Sequence, residues 1–385
     1  MSARISSRGP TTTHAVFAPA RVNLIGEHTD YSGGLVLPVA VDLGTTVAWR
    51  SDASAIRLRS LAFAQSVALS CEGLPREPVL GWGRYVAAVA SLLQEHGRPP
   101  AGLEGTISST VPIGAGLSSS ATLDVSVGLA LCRVAEFELP PLELAKIAQD
   151  AERLAVGVPC GLMDPATSLL GRSGHALLLD CATEEYRHVP LPRRLAIVVF
   201  DSGIRHELEH SGYADRRNEL ERALAALSDC RPAALRLPEA EAEARAAGVD
   251  DTALRRLRHV VSENERVRRC VAALERPGGA DLVALGALFR EGHQSLRRDF
   301  EVSTPELDLL VDLAYESGAV AARMTGGGFG GSIVALAEAE QAPALVETVT
   351  SRYAGSAGRE TSAYICTAVD GAGEVEPPPD VALSD

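Results

Sequence analysis

Five side chains capable of ionic or hydrogen-bonding chemistry lie within ten residues near the N-terminus, at Arg21, Asn23, Glu27, His28 and Asp30. A guanidinium, two carboxylates, an amide and an imidazole together donate and accept hydrogen bonds at fixed angles, which is more than an ordinary surface loop requires. A strand that leads into a solvated turn would give the same residues. The residue types alone do not choose between these two interpretations.

A second group of residues has the chemistry of an anion site. Residues 114–121 read Gly-Ala-Gly-Leu-Ser-Ser-Ser-Ala and precede a helical pattern that extends to Val134. The backbone N–H groups of a glycine loop and the N-terminus of a helix attract phosphate without a lysine. The serine hydroxyls can also bind phosphate or Mg²⁺, although a helix N-cap would explain one of them. Lys146 is the only lysine and has no glycine loop before it, which excludes a Walker A loop.

A third cluster, residues 324–331 (Met-Thr-Gly-Gly-Gly-Phe-Gly-Gly), contains the spacing GxGxxG. A dinucleotide-binding site would require a helix after this motif, whereas the strand-like run 332–336 follows directly. We therefore expect a tight turn whose backbone approaches a ligand closely.

Residues 206–210 (His-Glu-Leu-Glu-His) match the zinc-protease pattern HExxH. Glycines at 203 and 212 leave room for only a short helix there, so we interpret the match as chance.

Strands and helices alternate around these clusters without a regular βαβ spacing, which predicts an α+β fold rather than a doubly wound sheet. Strand-like runs occupy 45–49, 55–58, 175–180 and 195–200, helical patterns occupy 85–94 and 117–134, and helices dominate from Tyr213 to the third cluster. A run rich in proline and arginine predicts a boundary near residues 190–195. We therefore expect domains at 1–193 and 194–372, followed by a Pro-rich acidic tail at 373–385 that should be mobile.

Charge and composition exclude several classes of protein. The 385-residue chain carries a net charge of −14, so binding to nucleic acid or to a membrane surface is not expected. No apolar run approaches the roughly 18–20 residues that cross a bilayer, and the N-terminus lacks the apolar segment of a secretory signal. The seven cysteines are scattered without a CxxC pair, which is typical of reduced thiols. These features predict a cytoplasmic protein.

In their order along the chain, the three clusters resemble the GHMP kinase superfamily, and the first resembles its galactokinase branch. Residues 21–31 (Arg-Val-Asn-Leu-Ile-Gly-Glu-His-Thr-Asp-Tyr) are similar to the galactokinase signature, which is highly specific. The glycine loops are typical of the superfamily as a whole. Residues 159–164 (Pro-Cys-Gly-Leu-Met-Asp) resemble the segment of the catalytic aspartate, residues 205–213 the loop on the sugar side, and residues 295–307 a further galactokinase-like stretch.

The resemblance implies a fold and an activity. The fold would have two α+β domains, the first like domain 2 of ribosomal protein S5 and the second ferredoxin-like. The activity would be transfer of the γ-phosphoryl group of MgATP to the C1 hydroxyl of α-D-galactose. A related kinase for arabinose, galacturonate or N-acetylgalactosamine is one alternative, although Glu27 favours a neutral sugar over a uronate. A non-catalytic sensor of galactose and ATP is the other, although such a protein would be expected to lose catalytic groups.

The resemblance also implies roles for individual residues. Asp164 would take the proton from the sugar hydroxyl, with Arg21 beside it, and Ser120 and Glu152 would hold Mg²⁺. The sugar hydroxyls would be bound by Glu27, His28, Asp30, Gly161 and Tyr213. ATP would be bound by Gly114, Ala115, Gly116, Leu117, Ser118, Ser119, Ser120 and Ala121, with Trp82 and Tyr85 at the adenine.

Some of these residues also have simpler interpretations. Core packing or an exposed position on a helix or loop would account for Trp82, Tyr85, Glu152 and Tyr213. Asp164 precedes Pro165, where galactokinases usually carry Gln, and the pair suits the N-cap and first residue of a helix. Milder departures from the galactokinase pattern occur at Ala20, Ser32 and Asp124. The sequence leaves the oligomeric state open and is compatible with a monomer.

Overall fold

In the described part of the computed structural model, the strands form three sheets. The structure describes residues 12–381 except 53–54, 72–78, 158–159, 206–211, 230 and 380. The strands are β1 His14–Asn23, β2 Leu35–Val36, β3 Pro38–Asp52, β4 Ala55–Ser60, β5 Ser66–Ser70, β6 Gly102–Ser109, β7 His175–Asp180, β8 Tyr186–Pro190, β9 Leu195–Asp201, β10 Ala321–Thr325, β11 Ser332–Glu338, β12 Ser362–Cys366 and β13 Gly373–Val375. The strand orders are β13-β1-β3-β6-β4-β5, β10-β11-β9-β12 and β2-β7-β8.

Helices cover these sheets, mostly after residue 212. They are α1 Gly83–Glu95, α2 Ser119–Val134, α3 Pro141–Val156, α4 Met163–Leu170, α5 Tyr213–Leu224, α6 Leu237–Ala246, α7 Asp251–Leu274, α8 Leu282–Ser295, α9 Pro305–Glu316 and α10 Ala342–Ala357. A π-helical turn, Leu296–Phe300, continues α8. The mixture of helices and antiparallel strands confirms the predicted α+β class.

The six-stranded sheet and α1–α4 form the core of the first half of the chain. Strands β1 and β3 are buried along most of their length, and apolar residues occur on both of their faces. Helix α2 packs on both strands. In β1 the polar residues Arg21 and Asn23 interrupt this apolar pattern, and both are buried. Burying a charge is costly unless it is paired. The C-terminal end of β1 therefore carries side chains that need specific partners.

The four-stranded antiparallel sheet and the later helices form the core of the second half. Strand β9 is central and apolar, pairing with β11 on one side and β12 on the other. A third apolar cluster combines residues of both halves, for example Ile25 and Val39 with Val267 and Leu285. The predicted boundary after residue 193 falls in the connection between β8 and β9, and the division into two domains stays a prediction.

The C-terminal segment differs from the expectation of a mobile tail. Strand β13 pairs with β1, with Val375 opposite Ala15. Val381 is fully buried against Ala15 and Ala48. Backbone hydrogen bonds to the edge of the sheet fix a stretch whose acidic, Pro-rich composition suggested mobility, so the prediction is wrong for residues 373–375.

Among the residues described, no helix combines the length and the apolar character needed to cross a membrane.

Candidate active site

A cleft of about 520 Å³ lies between the two halves, and the three polar clusters converge on it. Of the predicted site residues, Arg21, Glu27, His28, Asp30, Tyr85, Gly114, Gly116, Leu117, Ser118, Ser119, Ser120, Glu152, Gly161, Asp164 and Tyr213 line this cleft. The glycine-rich turn 326–331 lines the cleft from the second half, and its close approach to a ligand stays a prediction. Residues 206–210, the HExxH match, lie outside the described residues.

Asp164 and Arg21 form the central ion pair of the cleft. Arg21 Nε lies 2.8 Å from Asp164 Oδ1, and Nη2 lies 2.9 Å from Oδ2. The Ser118 hydroxyl also donates to Oδ2. Arg21 Nη1 donates to the Gly116 carbonyl at 2.6 Å, so the same guanidinium joins the aspartate to the glycine loop. The Asp164 side chain keeps 24% of its surface exposed, which leaves the carboxylate accessible from the cleft.

Asp164 does not cap its helix. Helix α4 begins at Met163, so Asp164 and Pro165 are its second and third residues, and the N-cap position is Leu162. Proline is tolerated in a first turn because its missing N–H would have no intrahelical partner. The sequence-based prediction of a cap at Asp164 is therefore wrong by two positions. The carboxylate instead lies beside the positive end of the helix dipole.

The glycine loop between β6 and α2 has the backbone of an anion cradle. Gly114, Gly116 and Ser118 have φ angles of 73°, 76° and 62°, and α2 begins at Ser119. Left-handed residues next to a helix N-terminus turn successive N–H groups toward one side. Ala115 and Ala121, also predicted to bind ATP, are buried and are not among the cleft-lining residues.

Ser120 and Glu152 meet at one end of the cleft. The Ser120 hydroxyl donates to Glu152 Oε1 at 2.5 Å, joining α2 to α3. Burial raises the pKa of Glu152, although the Ser120 hydroxyl opposes the shift. One turn further along α2, Asp124 is buried, and neither of its carboxylate oxygens has a hydrogen-bond partner among the described residues. Ser120 and Glu152, which line the cleft, offer oxygen ligands of the kind that Mg²⁺ prefers.

Only one of the two residues predicted to bind adenine lines the cleft. Tyr85, on α1, lines the cleft near Glu152. Trp82 lies one turn earlier, packs partly against the core of the first half, and donates its indole N–H to the Gln65 carbonyl at 3.2 Å. Trp82 is not among the residues that line the cleft. The WxxY spacing therefore brings only the tyrosine to this site.

The sugar loop, residues 26–35, carries three of the predicted sugar ligands. His28 has a φ of 64°, a strained conformation for a non-glycine residue that is typical of functional sites. Burial lowers the pKa of His28 to about 3, so the imidazole is neutral at physiological pH. Its Nδ1 lies 3.1 Å from the Tyr31 hydroxyl, and its Nε2 has no hydrogen-bond partner among the described residues. A neutral imidazole can accept or donate a hydrogen bond, which suits a sugar hydroxyl.

The remaining sugar-side residues crowd around this loop. Asp30 lies directly against Gly161, where a Cβ atom would fall 1.6 Å from Asp30 Oδ2. Only glycine fits that approach. The Tyr213 ring lies 5.5 Å from the Tyr31 ring and 5.6 Å from the His28 ring. Tyr213 of α5, Gly161 before α4 and the sugar loop therefore form one polar and aromatic pocket.

Sequence reasoning missed the buried arginine behind this pocket. Arg323 Nη2 lies 2.8 Å from Glu27 Oε2 and 2.6 Å from Glu263 Oε1, and all three residues are almost fully buried. A signal was present, because Arg323 interrupts the apolar strand β10 directly before the glycine turn. Glu263 likewise interrupts the buried stripe of α7.

Three family models match successive parts of the chain. Residues 5–51 match the galactokinase galactose-binding signature, residues 84–172 the GHMP kinases N-terminal domain, and residues 270–355 the GHMP kinases C-terminal domain. The matches follow the order of the clusters along the chain.

Similar proteins cover nearly the whole chain. The galactokinase of Chloroflexus aggregans is 42% identical over 369 residues, covering 94% of this chain and 93% of the relative. The galactokinase of Roseiflexus sp. is 40% identical over 365 residues, covering 94% and 92%. Lactococcus lactis galactokinase, whose crystal structure is complexed with galactose, is 31% identical with a TM-score of 0.88, covering 94% and 95%. A mevalonate kinase structure shares the fold at 19% identity and a TM-score of 0.67, covering 92% and 99%.

Proposed function

The chain belongs to the galactokinase family of GHMP kinases, and we propose that it transfers the γ-phosphoryl group of ATP to the C1 hydroxyl of α-D-galactose. The products are α-D-galactose 1-phosphate and ADP. The observation that carries this proposal is the Arg21–Asp164 pair, which contacts the glycine loop through the Gly116 carbonyl and lies in the same cleft as the sugar loop. A phosphoryl donor and a hydroxyl acceptor bound at these two places would meet at Asp164.

In this proposal Asp164 orients the C1 hydroxyl and accepts its proton as the oxygen attacks the γ-phosphorus. The bond from the γ-phosphorus to the bridging oxygen breaks, and ADP leaves. Arg21 holds the aspartate through two hydrogen bonds of 2.8 and 2.9 Å and stabilises negative charge on the transferred group. Phosphoryl transfer depends mainly on such positioning and electrostatic stabilisation.

The glycine loop binds the phosphates of ATP through backbone N–H groups, which explains how a chain with one lysine holds a nucleotide. Gly114, Gly116 and residues 117–120 supply the cradle, and Tyr85 borders the adenine. Ala115 and Ala121 contribute through the backbone shape only. Ala115 is fixed by its carbonyl, which accepts the Ser332 hydroxyl at 2.7 Å.

Mg²⁺ fits the residues at the Ser120 end of the cleft. The charged groups lining the cleft are Arg21 against Glu27, Asp30, Glu152 and Asp164, so ATP needs a cation to overcome repulsion. Ser120 and Glu152 would hold the ion, and ATP phosphates and water would complete its shell, as is usual for Mg²⁺. No group of three or more His, Cys, Asp or Glu side chains in the described residues forms a metal cluster. When bound, Mg²⁺ neutralises charge on the phosphates.

Glu27, His28, Asp30, Gly161 and Tyr213 form the sugar pocket of the proposal. Two carboxylates facing the ligand favour a neutral sugar, because a uronate would be repelled. Glu27 lines the cleft, and its carboxylate can accept from a sugar hydroxyl. The cytoplasm, where ATP is available, is the proposed location, and a monomer would suffice because the cleft is built from one chain.

The substitution Asp164→Asn tests the proposed role of the aspartate. Asparagine keeps the size of the side chain but cannot accept the proton, so turnover should fall by at least about a hundredfold. ATP binding, measured by calorimetry, should change little. Asp150→Asn provides the control, because Asp150 is an exposed residue on α3 that pairs with Arg153. Turnover of Asp164→Asn within about tenfold of the unsubstituted enzyme would mean that another group accepts the proton.

A further inference from the structure

Helix α7 presents three fully buried polar side chains toward the sugar loop. His259, Glu263 and Asn264 each have no exposed surface; His259 and Glu263 lie one turn apart, and Asn264 follows Glu263 directly. Neighbouring buried residues such as Val260 and Val267 are apolar. Polar groups inside an apolar stripe are costly to bury without partners, so their contacts require an explanation.

Each of these side chains reaches a backbone group of the sugar loop. Glu263 Oε1 accepts the Gly26 N–H at 2.9 Å, and Asn264 Oδ1 accepts the Leu35 N–H at 2.7 Å. His259 Nε2 lies 3.2 Å from the Glu27 carbonyl and Nδ1 lies 3.0 Å from the Ser295 hydroxyl. Burial lowers the pKa of His259 to about 3. The Glu27 carbonyl can only accept a hydrogen bond, so its contact with the neutral ring requires the proton on Nε2. The contacts bracket the loop at both ends.

The loop approaches the helix too closely for larger residues. A Cβ atom on Gly34 would lie 2.9 Å from Asn264 Oδ1. Gly26 has a φ of 105°, and a Cβ atom there would lie 2.6 Å from the Leu35 carbonyl oxygen. Gly34 lets the loop backbone lie directly against Asn264, and Gly26 lets the two ends of the loop approach each other. The loop backbone is therefore held by the contacts with α7 together with the Thr29 hydroxyl, which lies 2.7 Å from the Gly26 and Leu35 carbonyl oxygens.

Two arginines keep Glu263 charged in this environment. Arg323 Nη2 and Arg266 Nε each lie 2.6 Å from a carboxylate oxygen of Glu263. Burial alone would raise the pKa of Glu263, but the two guanidinium groups lower it below its usual value. Arg323 also pairs with Glu27 at 2.8 Å. Well-packed apolar residues often stabilise a core as well as a buried ion network does, so stability alone does not account for this arrangement.

We propose that His259, Glu263 and Asn264 are positioning residues that hold the backbone of the sugar loop so that Glu27, His28 and Asp30 meet the sugar. This inference rests on the proposed function. It assigns to a helix of the second half a direct influence on sugar affinity, although none of the three residues is among those that line the cleft. Loss of one contact should weaken galactose binding and leave the nucleotide site unaffected.

Asn264→Ala tests this role because it removes the acceptor for the Leu35 N–H. We expect the KM for galactose to rise at least about fivefold, the size of one lost buried hydrogen bond, with kcat and the KM for ATP within about twofold. Glu265→Ala is the matched control, since Glu265 is the next residue on α7 and is exposed. Its kinetic constants should match those of the unsubstituted enzyme.

A second pair of variants covers the case in which Asn264→Ala does not fold. His259→Leu removes the donor to the Glu27 carbonyl, and His259→Gln supplies an amide donor in its place. We expect the first variant to raise the KM for galactose and the second to recover most of the loss. Equal KM values for the two variants, or parallel changes in the KM values for galactose and ATP, would overturn the inference. No galactose-dependent turnover by the unsubstituted enzyme would instead overturn the proposed function, and this inference with it.

Discussion

The carboxyl groups of Glu27 and Asp30 in the sugar loop have pKa values close to physiological pH. Burial raises the pKa of Glu27 to about 7, against the opposing charge of Arg323. Burial also raises the pKa of Asp30 to about 6, and the neighbouring Asp164 adds to the shift. Each group becomes a pure hydrogen-bond acceptor only above its pKa. Galactose binding should therefore depend on pH.

We expect the KM for galactose to fall as pH rises from about 5.5 to about 8, by up to about tenfold, because a charged acceptor binds a hydroxyl more strongly than a neutral acid does. Initial rates at saturating MgATP would measure the profile. Glu27→Gln should weaken binding and remove the step near pH 7, leaving the step near pH 6 from Asp30. A profile of Glu27→Gln parallel to that of the unsubstituted enzyme would show that Glu27 is not the group responsible.

At this scale the sequence identifies residues more reliably than it identifies their contacts. Arg21, Asp164 and Glu152 were predicted from motifs, and all three line the cleft. The predictions of adenine binding by Trp82 and of an N-cap at Asp164 each depended on the exact residue at which a helix begins. Tertiary packing sets that residue, and local sequence patterns do not show it. Arg323 was missed because its partners, Glu27 and Glu263, are 296 and 60 residues away.

The glycine loop before α2 depends on backbone conformations that only a few residues adopt without cost. Gly116 has a φ of 76°, and its carbonyl accepts from Arg21. A Cβ atom at this position would lie 3.6 Å from the Thr325 carbonyl oxygen. A methyl group fits in this space, so a substitution here would act through backbone strain. Strain of about 1–2 kcal/mol is typical for an alanine in the left-handed region.

Gly116→Ala should therefore raise the KM for ATP by about five- to thirtyfold, with little change in the KM for galactose. Gly97→Ala is a matched control, because Gly97 has a φ of 91° at an exposed turn after α1 with no atom within 4 Å of the added group. Both variants should lose stability in urea unfolding, but only Gly116→Ala should change nucleotide kinetics. Equal KM values for ATP in the two variants would count against the glycine loop as the phosphate cradle.

Among the elements, those with strong periodicity were predicted well. Apolar runs correctly predicted β7 and β9, and the helical pattern that begins at residue 117 predicted α2 to within two residues. The sequence did not reveal the role of the polar side chains on α7, because polar residues inside the apolar stripe of a helix do not show which distant segment they contact. That segment is the sugar loop, more than 220 residues away for each contact.

At the scale of the whole molecule, the cleft requires both halves of the chain. Thr325 Oγ1 donates to the Asn23 carbonyl at 2.9 Å and accepts the Asn23 N–H at 3.2 Å. Ser332 and Arg205 donate to the Ala115 and Ile113 carbonyls of the glycine loop at 2.7 and 2.9 Å. Strand β13 returns from the C-terminal end to the first sheet. These contacts fix the sugar loop and the glycine loop relative to each other.

The fold class was predictable because the mixture of strand and helix patterns requires no knowledge of partners. The sheet orders and the return of β13 were not predictable. Residues 373–375 read Gly-Glu-Val, too short a stretch to show the period-two alternation that would identify a half-buried strand. Its pairing depends on the open edge of β1, which only the folded molecule supplies.

The most direct test of the proposed function is ADP release from MgATP with a panel of free sugars: galactose, glucose, arabinose, galacturonate and N-acetylgalactosamine. Phosphorus NMR of the product would locate the phosphate. We predict strong turnover with galactose, weak turnover with the others, and phosphate on C1. Faster turnover with another sugar would contradict the assigned substrate. Binding of ATP without turnover of any sugar would contradict the proposed kinase activity and favour a non-catalytic sensor.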